Sequence, residues 1–367
     1  MLTRATPCVL VAALAASAPC FGWGAPGHRI ISYLALYGLP AEAPAWLKDL
    51  ETWHRVAYQS NEPDRWRGWQ STCLAHVNRP EHYLDIELLD QFGLTLESMP
   101  KLRGEYLRAM AVAKHVHPER VDRYDAARDP DRSKEWPGLV AHAMAEHYAL
   151  LQASFNTVRV LEQLNEPARA QQLAQARANT VYHMGVLSHF VGDAAQPLHT
   201  TKHFNGWVGA NPGGYTTERG FHSYIDSGVL ETHGLTYEAL RPLARFERRI
   251  AAPDAWDDIL AHLRRAFDQV EPLYRLQRDG LLDGPDGKAL ITARLLDGAE
   301  MLSALYWSAY TSAAPTGDQL SAFLRYNDFD PQRFPERTAS PPPAASAPAT
   351  SAPAASPPAA SAPAPSP

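Results

Sequence analysis

Apolar residues recur in this chain at steps of three and four, and this spacing restricts the fold more than any other feature. The pattern is typical of amphipathic helices, whereas the sustained alternation expected of half-buried strands is scarce. The helical pattern covers 30–35, 139–161, 168–191, 256–273 and 289–310. Clusters of Gly, Pro and Asn predict loops at 58–63, 79–81 and 202–220. The sequence therefore predicts a mainly α, single-domain helical bundle with long loops.

The first 22 residues have the features of a secretory signal. A short positively charged start precedes an apolar run at 9–16 that is too short to span a bilayer, and small residues precede Trp23. We therefore predict a signal peptide at 1–22 and a secreted or periplasmic product that begins at Trp23. A lipoprotein signal ending at Cys20 is the alternative, although Pro19 fits such a signal poorly.

The last 30 residues, 338–367, contain only Ala, Pro, Ser and Thr. Such a segment lacks the apolar side chains that a core requires, so we predict a disordered tail. Residues 23–337 remain as the folded domain. Cys73 is the single cysteine in this range, and we interpret it as a small buried apolar residue rather than a reactive thiol or a zinc ligand.

Charge and hydropathy exclude two kinds of protein. The formal net charge of −6 does not fit a protein that grips long nucleic acid through an extended basic surface, so any recognition of phosphate must be local. No second apolar span follows the leader, so we predict no stable membrane insertion. Nothing in the pattern implies a protein partner.

Candidate metal ligands are concentrated between residues 189 and 226. His189 and Asp193 are four residues apart on a predicted helix, so their side chains lie on one face, one turn apart. A proline then ends the helix, and His199 follows that break. The same His-x3-Asp spacing recurs at His222 and Asp226. One such pair is more often a solvated ion pair, but five nitrogen and oxygen donors together suit zinc.

Further candidates lie upstream. Asp64 alone would be interpreted as a turn carboxylate and His82 alone as a core histidine, so their meaning depends on the whole set. Trp23 is followed at a fixed interval by His28. If Trp23 becomes the first residue, its α-amino nitrogen and its carbonyl oxygen form a five-membered chelate that no internal residue can offer.

Together these motifs resemble the S1/P1 nuclease family, whose superfamily includes zinc-dependent phospholipase C. The resemblance implies a mostly helical fold with three zinc ions per chain. The first zinc would be held by Asp64, His82, His189 and Asp193. The second would be held by His199, His222 and Asp226. The third would be held by His28, by Asp193 as a bridge, and by the amine and carbonyl of Trp23.

The resemblance also implies a mechanism of phosphate ester hydrolysis. Two zinc ions that share Asp193 would hold a bridging hydroxide as the nucleophile. Asp64 would orient this hydroxide, and Arg67 would stabilise the leaving oxygen. Arg67 could otherwise be a surface residue that pairs with Glu62 or Asp64.

The short interval between Trp23 and His28 is typical of the nuclease branch. The resemblance therefore implies an endonuclease or phosphodiesterase that cleaves single-stranded RNA and DNA, combined with 3′-nucleotidase activity. Tyr83 would stack on a base and Asp85 would bind its edge. The family's Gly-Gly-Asn element is replaced by a longer loop, in which Asn211 is the candidate substrate contact and Asn205 is the alternative.

Two alternatives remain open. The segment 221–223, Phe-His-Ser, is locally similar to the phospholipase branch, so the protein could be a phospholipase C acting on phospholipid head groups. It could also be an exported zinc-binding protein without catalytic activity.

Overall fold

A computed structural model describes residues 23–328. The described chain is mainly helical and contains no extended strand, only isolated bridges such as Leu84 to Gly138. Its α-helices are α1 (Ala25–Tyr37), α2 (Leu50–Gln59), α3 (Glu62–Arg67), α4 (Thr72–Asn78), α5 (Arg103–Val116), α6 (Val140–Leu164), α7 (Ala170–Ala195), α8 (Phe221–Ser223), α9 (Val229–His233), α10 (Tyr237–Leu240), α11 (Trp256–Phe267), α12 (Val270–Arg278), α13 (Pro285–Ser312) and α14 (Gly317–Ala322). The predicted mainly α fold is confirmed.

Short turns of tighter or wider helix connect these elements. The 3-10 turns are Ala45–Lys48, Arg79–His82, Ile86–Phe92, Pro167–Arg169, Pro197–His199 and Arg241–Leu243. The π turns are Tyr224–Gly228 and Phe323–Asn327. Residues 202–220 form the long irregular loop that the sequence predicts.

Helix α7 lies at the centre of the core. It packs against α1, α2, α6, α11 and α13, and α6 and α1 each pack against α13 as well. Every residue of α7 from Met184 to Ala195 is buried. Since helices surround it, polar side chains on its last turns are removed from bulk water and require partners or ligands.

Local signals explain where several helices begin and end. Pro26 occupies the first turn of α1, where its missing N–H costs nothing. Asn165 ends α6 in the left-handed conformation, with φ of 48°. The Ser71 hydroxyl accepts the Leu74 N–H at the start of α4.

Four predictions require correction. Residues 58–63 and 79–81 are largely helical, because Pro63 and Pro80 occupy first turns, where proline is tolerated. The predicted stretch 256–273 is divided at Asp268 and Gln269 into α11 and α12. Cys73 is exposed on α4 rather than buried.

Within the described residues, 23–321 form one compact unit, and the short segment 322–328 belongs to a second unit. The predictions of a signal peptide at 1–22 and of a disordered tail at 338–367 lie outside the described residues. In residues 23–328, every helix is too short or too polar to cross a membrane.

Candidate metal centre

The buried end of α7 carries the centre of the site. His189 and Asp193 are both fully buried, and the side chains lie one turn apart on the same face. The His189 Nε2 atom is 3.3 Å from Asp193 Oδ2. The short 3-10 turn Arg79–His82 reaches this face. The Nδ1 atom of His82 lies 3.0 Å from Asp193 Oδ2 and 3.0 Å from His189 Nε2.

These three donor atoms form a triangle with a suitable size for a metal ion. Tetrahedral zinc with bonds of about 2.0–2.2 Å places its ligand atoms about 3.3 Å apart. The observed separations of 3.0, 3.0 and 3.3 Å are close to that value. We call His82, His189 and Asp193 the first group.

A second group is built after α7 ends. Pro197 begins a 3-10 turn that carries His199 back toward the core. The His199 Nε2 atom is 3.0 Å from His222 Nε2, which is 3.3 Å from Asp226 Oδ1. All three side chains are buried, and their donor atoms lie within 4.8 Å of one another.

His28 enters from α1 as the third component. Its ring stacks on that of His189 with a centroid distance of 4.1 Å. Donor atoms of His28, Asp64 and His189 lie within 4.8 Å of one another, and His28 Nε2 is 3.4 Å from Asp193 Oδ1. We call His28, Asp64 and His189 the third group. Gly192 permits the approach, since a Cβ atom there would lie 2.7 Å from His28 Nδ1.

Unpaired polar atoms at the site fit a bound cation. Within the described residues, both ring nitrogens of His28 and the Oδ1 atom of Asp193 lack a hydrogen bond. His28 Nε2 and Asp193 Oδ1 are 3.4 Å apart, close enough for electrostatic attraction but without the geometry of a hydrogen bond. Leaving such atoms buried and unpaired is costly, and a metal ion would remove that cost.

Trp23 is packed beside the second group. Its side chain is fully buried, and the Gly24 N–H donates to the Asp226 carbonyl at 2.8 Å. A Cβ atom on Gly24 would lie 2.1 Å from Ser227 Oγ, so a side chain here would require the Ser227 hydroxyl to rotate away. Ligation by the amine and carbonyl of Trp23 remains a prediction.

Backbone carbonyls orient two of the histidines. His189 Nδ1 donates to the Ser60 carbonyl at 2.8 Å, and His199 Nδ1 donates to the His82 carbonyl at 2.5 Å. Because these protons occupy Nδ1, the Nε2 lone pairs face the two groups. Anchoring of this kind is usual for histidines that bind metals.

Gln196 orients the ligand candidate Asp226. Its amide nitrogen donates to Asp226 Oδ1 at 2.8 Å, and its amide oxygen accepts the Leu198 N–H at 2.5 Å. The side chain is fully buried. Sequence reasoning missed Gln196, and the available signal was its position between Asp193 and His199, directly before the proline that ends the helix.

The protonation states of His82, His199 and Asp193 favour metal binding. Burial lowers the pKa of His82 and His199 to about 4 in each case, so both rings are neutral near pH 7. Burial opposes the charge of Asp193, but His189 and His199 outweigh it and hold the pKa of Asp193 well below its usual value. Neutral imidazoles with an ionised carboxylate are the forms that coordinate cations. Burial lowers the pKa of His189, but Asp193 and Asp64 outweigh it and leave the pKa above its usual value, so a metal ion would have to displace the proton of this ring.

Asp64 and Arg67 lie together on α3. Arg67 Nη1 is 3.3 Å from Asp64 Oδ1, and the side chains are 14% and 12% exposed. Asp64 Oδ1 is 4.0 Å from His189 Nε2. Burial raises the pKa of Asp64, but His189 and His82 outweigh it and leave the pKa below its usual value. The pair therefore borders the site from its less buried side.

The candidate substrate contacts differ in their surroundings. The Tyr83 hydroxyl donates to the Ser133 carbonyl at 2.8 Å, and burial followed by the charge of Glu87 raises the pKa of Asp85 to about 8. Both amide atoms of Asn211 bind the backbone of Tyr215, each at 2.8 Å. Asn211 therefore closes its own loop, and a contact with substrate would have to replace these bonds.

Comparison with known proteins agrees with this geometry. Residues 23–272 match the family model for S1/P1 Nuclease, which is more than half of the chain. No curated protein matches the chain. The matched range includes all three groups, and the resemblance inferred from the motifs is confirmed. The chain therefore belongs to the S1/P1 nuclease family and is a hydrolase of the nuclease type, with three His/Asp groups that could bind metal ions.

Proposed function

We propose that the protein is a zinc-dependent endonuclease that hydrolyses single-stranded RNA and DNA and also acts as a 3′-nucleotidase. The observation that carries the proposal is the arrangement around Asp193. Its Oδ2 atom faces His82 and His189, whereas its Oδ1 atom lies 3.4 Å from His28 Nε2. A carboxylate between two groups of nitrogen donors suits a pair of neighbouring zinc ions.

The residues that would hold three zinc ions are Trp23, His28, Asp64, His82, His189, Asp193, His199, His222 and Asp226. Zinc bound there supplies Lewis acidity, lowers the pKa of water and neutralises charge on the phosphate. Asp64, whose pKa lies below its usual value, is ionised near neutral pH and orients the attacking water by accepting a hydrogen bond from it. Arg67, held 3.3 Å from Asp64, stabilises negative charge on the leaving oxygen.

Substrate recognition is local in this proposal. A net charge of −6 argues against an extended basic track for nucleic acid, so the phosphate is bound at the metal centre. Tyr83 follows His82 directly and offers its ring to a base, while its hydroxyl is held by Ser133. Asp85 would contact the edge of that base. Export to the periplasm or the medium, with Trp23 as the first residue, is part of the same proposal.

The test compares nucleic acid and nucleotide substrates with a phospholipid. The purified protein, loaded with zinc, should hydrolyse single-stranded DNA and RNA and should release phosphate from 3′-nucleotides, with little action on phosphatidylcholine. Activity on the lipid alone would show that the protein is a phospholipase C. Zinc per chain and the identity of the first residue should be measured on the same preparation.

A substitution tests whether the site is catalytic. Arg67→Ala should lower kcat by about a hundredfold or more, because a group that stabilises developing charge is lost, while zinc content stays the same. Arg264→Ala is the matched control, since Arg264 forms a partly exposed ion pair with Glu97 at 2.7 Å. A zinc-binding protein without catalytic activity would show no hydrolysis and no difference between the two variants.

A further inference from the structure

One tryptophan of the chain faces the solvent. The side chain of Trp69 is 72% exposed, whereas the other eight tryptophans are buried or half-buried. Tryptophan carries the largest apolar surface of any residue, so leaving it in water costs free energy that burial would recover. Within the described residues, its indole has no hydrogen bond and no ring contact.

The backbone of Trp69 is nevertheless well fixed. Its N–H donates to the Trp66 carbonyl at 3.1 Å, and its carbonyl accepts the Ser71 N–H at 3.0 Å. Ser71 in turn caps α4 through its hydroxyl. The exposed indole is therefore displayed from a short turn held between two helices, and little backbone entropy would be lost if a ligand stacked on it.

The turn adjoins the candidate metal centre. Trp69 is two residues beyond Arg67, and since consecutive Cα atoms are about 3.8 Å apart, their Cα atoms lie within about 7.6 Å of each other. Arg67 itself contacts Asp64 at 3.3 Å. A polymer bound with one phosphate at the metal centre would therefore have its neighbouring units within reach of the indole.

The chemistry around the turn favours a nucleic acid over a lipid surface. Arg65 lies on the same short helix, and its guanidinium is 3.9 Å from the centre of the Tyr58 ring, which is itself 57% exposed. Aromatic faces interleaved with arginine cations are the usual means of holding bases and phosphates of a single strand. Insertion into a lipid surface would favour a wider apolar patch without these charges.

We infer that Trp69 is a stacking site for a base of the single strand, outside the nucleotide whose phosphate is cleaved. This inference rests on the proposed function. It adds a subsite that contributes to the binding of long substrates and leaves the chemical step unchanged.

The test uses the zinc-loaded protein and two substrates of different length. Trp69→Ala should raise KM about five- to tenfold for a strand of about 20 thymidines, because one stacked base is lost. It should leave kcat for that strand unchanged, together with both constants for bis(4-nitrophenyl) phosphate, which is too small to reach the turn. Trp69→Phe should restore most of the affinity.

Tyr37→Ala is the matched control, because Tyr37 is 44% exposed at the far end of α1, nine residues or about 13 Å beyond His28. An unchanged KM for the long strand in Trp69→Ala would overturn the inference. An equal loss on both substrates would overturn it too, since that result indicates a structural role.

Tryptophan fluorescence separates this inference from the proposed function. Titration with the thymidine strand should quench the emission of the parent protein more strongly than that of Trp69→Ala. If the parent hydrolyses no nucleic acid, the proposed function fails and this difference in quenching still decides whether a strand binds Trp69. Loss of binding to phosphatidylcholine vesicles in Trp69→Ala, with unchanged binding of the strand, would assign the residue to a lipid surface instead.

Discussion

Gly192→Ala should remove one metal ion from the protein. Gly192 lies on α7 one residue before Asp193, and a Cβ atom there would lie 2.7 Å from Nδ1 and 3.1 Å from Cε1 of His28. Ordinary contacts between such atoms are about 3.5 Å or longer, so the ring must move by roughly 0.8 Å. Metal ligands tolerate displacements of only about 0.2 Å, so the third group should fail.

The effect on stability is expected to be smaller. Alanine is favoured over glycine inside a helix by about 1 kcal/mol, whereas overpacking a core costs about 1–3 kcal/mol. The gain offsets part of the cost and leaves a net loss of about 0–2 kcal/mol, so a melting temperature alone does not test the reasoning. His28 has little freedom to yield, because its ring is fully buried and stacks on His189 at 4.1 Å.

The assay is zinc per chain, measured by mass spectrometry after dialysis against a low concentration of free zinc. Gly192→Ala should hold one ion fewer than the parent protein. Gly104→Ala is the control, since Gly104 is also helical but a Cβ atom there meets no atom within 4 Å. Adding Gly192→Ala to His28→Ala should cause no further loss of zinc. Full zinc content in Gly192→Ala would refute the assigned contact.

Three other predictions concern the same region. Gln196→Leu removes the donor to Asp226 Oδ1, and the affinity of the second group for zinc should fall about 10- to 100-fold in competition with a chelator; an unchanged affinity would show that Gln196 does not orient the carboxylate. Burial raises the pKa of Asp85 to about 8, so between pH 4 and pH 8 the folded protein keeps a proton that the unfolded chain loses, and folding stability declines as pH rises. Asp85→Asn should flatten that decline in urea unfolding at about pH 5 and about pH 8, and parallel curves for the two proteins would contradict the assignment. One extra residue before Trp23 should lower the zinc content by one ion and abolish hydrolysis, which zinc analysis of a protein with a defined first residue can check.

Much of the fold could be predicted because long stretches with helical periodicity in the sequence also form helices in the folded protein. The stretches at 139–161, 168–191 and 289–310 all lie within or almost within long helices of the structure. The two loop predictions fail because proline has two uses. Pro63 and Pro80 suggest loops in the sequence, but both residues occupy first turns, where a missing N–H is harmless.

The candidate site was predictable to the extent that residue type and spacing reveal it. The structure brings His82, His189 and Asp193 together, although 107 residues separate the two histidines. Metal binding itself stays a prediction. The roles of Ser60 and Gly192 could not be predicted. The Ser60 carbonyl and the missing Cβ atom of Gly192 matter only through contacts that form when helices pack together. Cys73 was interpreted wrongly for the same reason, since nothing in its own segment indicates which face of α4 is covered.

The distribution of the donor groups along the chain has a consequence for the lifetime of the folded protein. The candidate ligands begin at Trp23, just before α1, and end at Asp226 beyond α8, so bound ions would connect segments about 200 residues apart. Cys73 is the single cysteine among residues 23–328, so no disulfide can tie these segments within the described chain. Contacts between such distant segments form late in folding, and interactions formed late mainly slow unfolding. Bound metal would then determine how long the folded protein persists. Removal of the metal by a chelator would speed unfolding and so expose the chain to proteases.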